Sequence, residues 1–338
     1  MSITSRRFRV TLSSVLIAIA LIVTVTLPVG AVATSNSGTS GNGMRVSPVV
    51  TNLIINAGQT QIVPIYVQNV TSAPLKLQVI INDFVAGNNE NGQPQLLLNA
   101  NQSNPTHGLK KFITPISDIT LQPNVQKTVN VDIVIPAGTA GGGYYGAVRF
   151  APVTSGGNTN VSLTASVASL ILVKVPGNIK DDLQLSSFSV KQDGNGSSQA
   201  FFSGNKNLIV TAKFQNFGNV QEQPFGKILL EQGGKELASY AINNTTPAGN
   251  VLPSSIRQFN VNLGNKVGTI GKYTVLGNFG YGSSGQLISG STTFYVVPVL
   301  LIIVIIIVIL IILFFIFVFP RLMSQYNRRV IRRASPRR

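Results

Sequence analysis

The sequence predicts an all-β ectodomain of two tandem immunoglobulin-like β-sandwiches, followed by one C-terminal transmembrane helix. Three observations carry this expectation. Short runs of alternating apolar and polar residues recur through the middle of the chain, punctuated by Asn, Gly and Pro clusters. The order of these runs in the first half returns in the second. Residues 294–320, Phe294 through Pro320, hold 27 positions without a charged side chain, and seven arginines crowd the last 18 residues of the chain.

At the N-terminus, Arg6, Arg7 and Arg9 precede the apolar stretch Val15–Val25, which closes with Pro28 and then Ala31-Val32-Ala33. Basic, apolar, then small-x-small is the layout of a secretory signal, with cleavage expected after Ala33 and residues 1–33 removed. An uncleaved anchor is the alternative, because the apolar stretch is long for a signal. Either arrangement keeps the basic end inside and residues 34–293 outside. The match of Ser5-Arg6-Arg7-Phe8 to a twin-arginine signal is too short to prefer. Residues 34–43 (TSNSGTSGNG) read as a polar linker.

Strand follows turn from there on. Val129, Val131, Ile133 and Ile135 alternate with polar neighbours up to Pro136-Ala137-Gly138. Ile62–Val70, Leu75–Val85, Ala147–Phe150, Val161–Val175, Leu208–Phe214, Lys227–Leu230, Arg257–Leu263 and Tyr273–Phe279 read likewise as strands. Pro123 through Ile133 aligns with Pro253 through Leu263. After a slip of one residue, Gly143-Tyr144 and Val148–Phe150 fall on Lys272-Tyr273 and Gly277–Phe279. Val67-Gln68-Asn69 before a turn corresponds to Phe214-Gln215-Asn216. These matches place domain one at 44–155, a junction strand within 156–177, and domain two at 178–296.

Val299–Phe319 is long enough to cross a hydrocarbon core of roughly 30 Å, giving a transmembrane helix over 297–320. Arg321, Arg328, Arg329, Arg332 and Arg333 in the tail, 321–338, mark the cytoplasmic side. They also explain Arg332-Arg333-Ala334-Ser335 better as a stop-transfer signal than as a phosphorylation site. Val299–Phe319 has no small-xxx-small pattern, so helix-driven dimerisation finds no support and the oligomeric state stays open.

Composition limits the chemistry. The net charge is +16, but ten arginines sit in the termini, leaving the other 16 Lys and Arg against 10 Asp and Glu, or +6, without a nucleic-acid footprint. With no cysteine, thiol catalysis and cysteine metal sites are excluded, and the profile suits a Gram-positive-type envelope. His107, the sole histidine, lies in a polar stretch and is expected to be solvated. Asp181-Asp182 reads as a charged turn. Asn82, Asp83, Asn88, Asn89, Glu90 and Asn91 offer oxygens around a glycine turn, but only two are carboxylates where calcium wants several. A plain hairpin loop, no metal, no cofactor and no enzyme are the expectation. Tyr144 and Tyr145 on one strand should face opposite ways, one packed inward and the other partly exposed as a candidate ligand-binding side chain.

The layout resembles that of the WxL-interacting proteins of Gram-positive bacteria. The resemblance is clearest from Val46-Ser47-Pro48, through Gly58-Gln59-Thr60 and a strand ending in Asn69-Val70-Thr71, to Ile119-Thr120-Leu121-Gln122-Pro123, the glycine-rich turn and Tyr144–Phe150. These segments are similar to the family's peptidoglycan-binding domain. The resemblance implies a surface scaffold, anchored in the cell membrane, that holds peptidoglycan by domain one and a surface protein by domain two. With no tryptophan the chain cannot itself carry the WxL motif. A surface adhesin or structural envelope protein with an external ligand is the alternative. Strand donation in the manner of pilus chaperones is disfavoured by the membrane helix.

Overall fold

The computed structural model describes residues 43–99, 101–153, 166–193 and 198–324. The signal and its Ala31 and Ala33, the linker before residue 43, and Arg328, Arg329, Arg332 and Arg333 lie outside the described residues. Two β-sandwiches succeed one another, and each is made of a three-stranded sheet facing a larger one.

In the first, β1 (Met44–Ser47), β3 (Thr60–Asn69) and β7 (Gln126–Val134) form the small antiparallel sheet in the order β1-β3-β7. The opposing sheet runs β2 (Val50–Ile54), β9 (Val167–Val175), β8 (Gly142–Pro152), β4 (Leu75–Ala86), β5 (Pro94–Leu96), with β6 (Ile119–Leu121) on the side of β4. Period-two patterning decides what is inside. Val63, Ile65 and Val67 of β3 and Val129, Val131 and Ile133 of β7 are buried against Leu77, Val148, Phe150, Ile171 and Val173 of the larger sheet. Each such side chain contributes roughly 1.5–3 kcal/mol by leaving water.

The second sandwich repeats this plan, except that β6 has no counterpart. Its small sheet is β10 (Leu183–Gln192), β12 (Leu208–Asn216), β15 (Ile256–Asn262). Its larger sheet is β11 (Phe201–Phe202), β17 (Gln286–Val296), β16 (Gly271–Tyr281), β13 (Phe225–Gln232), β14 (Lys235–Ile242). Even the single parallel pairing recurs, β2 with β9 and β11 with β17. The repeat read from the sequence is therefore structural, down to one side chain. Asn69 and Asn216 are both fully buried at the end of the middle strand. Asn69 accepts the Thr71 amide at 2.9 Å and donates to the Ala73 and Gln122 carbonyls. Asn216 accepts the Gly218 amide at 2.8 Å and donates to the Val220 and Val251 carbonyls. Each side chain thus satisfies backbone groups that a buried turn would otherwise leave unpaired.

The repeat also explains where the expected boundaries differ. Val167–Val175 is not a junction strand. It pairs with β8 along nine residues and with β2, and it completes the first sandwich as β17 completes the second. The second sandwich extends through β17, whose Phe294 and Val296 are fully buried.

Helix α1 (Val299–Leu313) continues through a π-type turn at Phe314–Val318, and the helical stretch runs from Val299 to Ser324, 26 residues with no buried side chain. At 1.5 Å per residue it is about 39 Å long, and it is apolar enough to cross a membrane. Arg321 sits in its last turns. All residues of the apolar cores lie between 44 and 296, so the ectodomain has complete cores without the helix.

Candidate functional site

The tyrosines singled out in the sequence do lie on one strand, β8, and face opposite ways, but neither is exposed. Tyr144 is 7% and Tyr145 2% exposed. Tyr144 points into the first core, edge-on to Phe112 at 5.3 Å, with its hydroxyl donating to the Ala140 carbonyl. Tyr145 points out of that sandwich, yet the outer face of β8 is covered there. His107 packs beside its ring at 5.7 Å, and its hydroxyl donates to Gln221 Oε1 of the second sandwich at 3.2 Å. Burial pushes the Tyr145 phenol well above its ordinary value. Neither ring is exposed to a ligand as expected: Tyr144 packs in the first core and Tyr145 at the sandwich boundary.

His107 differs from expectation for the same reason. It is half-buried, with Nδ1 2.7 Å from the Gly143 carbonyl. The two carboxylates weighed for calcium are already committed. Asp83 is buried and accepts the amides of Asn104 at 3.0 Å and Lys110 at 2.8 Å, which ties the segment before the Lys110–Phe112 turn to β4. Glu90, in the β4–β5 hairpin, pairs with Lys213 across the boundary, and its carbonyl accepts the Gln258 amide at 2.7 Å. Gly143 donates to the Asn219 carbonyl at 2.8 Å. These contacts join the two sandwiches through the hairpin and through the loop before β13.

Two cavities flank that boundary. One, of about 330 Å³, is lined by Lys174, Gln221, Glu222 and Ser283. Here Glu222 is 3% exposed and accepts the Gly282 amide at 3.0 Å, while Asp181 accepts Lys174 at 3.4 Å. Glu222 Oε1 is buried without a partner. Burial, then the neighbouring Asp181 carboxyl, push Glu222 up to about 7. For Asp181, burial acts upward, but Glu222, Lys174 and Ser283 outweigh it and hold the group below its usual value. Asp181 thus lies beside a remote carboxyl, Glu222, rather than in a charged turn with Asp182 alone.

The surface that is open lies on the other side of the first sandwich. Outward positions of the β1-β3-β7 sheet present Tyr66, 42% exposed, directly across from Ser47 and Thr128. Gln68 stands between Arg45 and Gln126, and Pro64 lies opposite Asn130. This gives one exposed aromatic ring on a face of hydroxyls and carboxamides. The only signal in the sequence was the alternation of Ile62, Pro64, Tyr66 and Gln68 with the buried Val63, Ile65 and Val67.

Comparison with known proteins bears on this sandwich. Residues 51–152, spanning β2 to β8, match the family model described as WxL Interacting Protein, peptidoglycan binding domain. No curated protein matches in sequence. Solved structures similar to the chain include a chaperone-tip adhesin complex of CFA/I fimbriae biogenesis, at 15% identity, 75% coverage of this chain, 99% of that one and TM-score 0.37. The class 5 fimbriae chaperone CfaA has 14% identity, the same coverages and TM-score 0.35. The CsuC–CsuE pre-assembly complex of Acinetobacter baumannii has 13% identity, coverages of 73% and 97%, and TM-score 0.35. The likeness to these structures is low, and nothing about function is drawn from it. The matched stretch belongs to the first sandwich, and the model it matches is that of the family that the sequence resembles.

Proposed function

We propose that this protein is a non-enzymatic scaffold of a Gram-positive-type cell envelope, anchored in the membrane by its C-terminal helix. In this reading the sandwiches lie outside the cell and the basic tail lies inside. The first sandwich holds peptidoglycan and the second holds a surface protein. The observation that carries the reading is the match of residues 51–152 to a peptidoglycan-binding domain. The apolar helix and the arginines after it support the anchoring.

The wall polymer is assigned to the outer face of the β1-β3-β7 sheet. Tyr66 offers a ring for stacking on a sugar, the neighbouring hydroxyls and carboxamides suit hydroxyl and acetamido groups, and Arg45 supplies a cation for a carboxylate. The test is pelleting of the ectodomain with insoluble peptidoglycan, comparing Tyr66→Ala with the parent protein. Loss of about tenfold in affinity is expected; unchanged pelleting moves the binding surface off this face.

A further inference from the structure

The second boundary cavity, about 370 Å³, lies between the β4–β5 hairpin and the chain leading into β15. Its walls are apolar and come from both sandwiches: Val50, Phe84 and Leu172 from the first, Leu252 and Ile256 from the second. Asn91, Gly92, Gln93 and Pro247 at the rim are exposed, so the cleft is reached from solvent. Its size falls within the range of small-molecule sites, roughly 300–1,000 Å³.

One charged group lines it, Arg257. The guanidinium donates from Nη1 to the Asn250 carbonyl at 2.9 Å and lies 5.2 Å from the Phe259 ring centroid. Gly92 and Gly249 pack so closely that a methyl group on either would overlap it. Among the described residues no carboxylate pairs with Arg257, and its Nε is buried without an acceptor. Asn250, whose carbonyl holds Arg257, turns its side-chain Nδ2 toward Asn52 of the other cavity at 3.5 Å. A cation held without a carboxylate beside an apolar wall is costly unless an anion completes it.

We infer that this cleft binds a small aliphatic carboxylate. The carboxylate accepts from the Arg257 guanidinium. Its alkyl chain fills the space between Phe84, Leu172 and Leu252. This binding is separate from wall binding on the outer sheet, and each can fail without the other.

The test uses the ectodomain, residues 34–298, whose cores are complete. 4-Methylpentanoate and 4-methylpentanamide are titrated and followed by NMR chemical shifts and calorimetry. 4-Methylpentanoate is expected to bind saturably with a Kd of about 1 mM or tighter, with shifts confined to the cleft. The amide, which lacks the charge, should bind at least about tenfold more weakly. Arg257→Gln should lose the preference for acid over amide. The comparison of probes on the parent protein needs no variant to fold. No saturable binding, equal binding of acid and amide, or shifts elsewhere would overturn the inference.

Discussion

Replacing Glu222 by Gln tests the carboxyl pair at the sandwich boundary. Glutamine keeps the acceptor for the Gly282 amide and a donor toward Asp181, but it cannot ionise. In the folded parent the Glu222 carboxyl titrates at about 7, against an ordinary 4.5. Between those values the folded state holds a proton that the unfolded chain has released. Stability therefore falls as pH rises through this window and stays reduced above it. At 1.36 kcal/mol per pKa unit the penalty has an upper figure of roughly 3 kcal/mol. Because Glu222 lines a cavity of about 330 Å³, solvent screens part of this, and roughly 1–2 kcal/mol is the expected effect. For a chain of this size that is about 3–6 °C in Tm. Thermal unfolding of the ectodomain followed by circular dichroism should show Glu222→Gln more stable than the parent at pH 8 and equal to it near pH 4.5. A variant that is less stable at pH 8, or equally shifted at both pH values, would refute a protonated Glu222 in the folded state.

Other outcomes follow from the same structure. Asn69→Ala and Asn216→Ala each remove a buried side chain that bonds several backbone groups, and each should cost about 2–3 kcal/mol in urea unfolding; equal and large effects in both sandwiches would confirm the repeat. Phe294→Ala should cost about 3–5 kcal/mol, and an ectodomain ended at residue 293 should unfold at markedly lower temperature than one ended at 298. Lys213→Ala, by contrast, breaks a partly exposed ion pair with Glu90 and should change stability by less than about 1 kcal/mol.

Strand alternation made most of the fold readable in the sequence, because side chains of β3, β7, β12 and β15 face a core on one side only. The matched Asn and Pro positions disclosed the repeat for a physical reason: each buried Asn holds the segment just before the proline. Val161–Val175 was legible as a strand, but its place in the first sandwich was not, because Val167–Val175 is buried largely on both faces and marks no single core side. Its counterpart β17 was the available signal, since the repeat demanded an equivalent strand. The burial of Tyr145 was not legible, as its cover comes from Gln221, 76 residues away, and from His107. The Asp181–Glu222 pair was hidden likewise, because proximity across a domain boundary leaves no periodic trace. Tyr66 was legible as an outward position of β3, but the paired tyrosines of β8 drew the binding role instead.

The central claim is that the first sandwich holds the wall. Its most direct test is co-sedimentation of purified residues 34–298 with insoluble peptidoglycan at low and at moderate salt. The account predicts pelleting that is weakened but not abolished by moderate salt, since Arg45 is one charged contact among hydroxyls, carboxamides and a stacking ring. Failure to pellet, or pelleting abolished by salt, would contradict it and favour an adhesin with an external ligand.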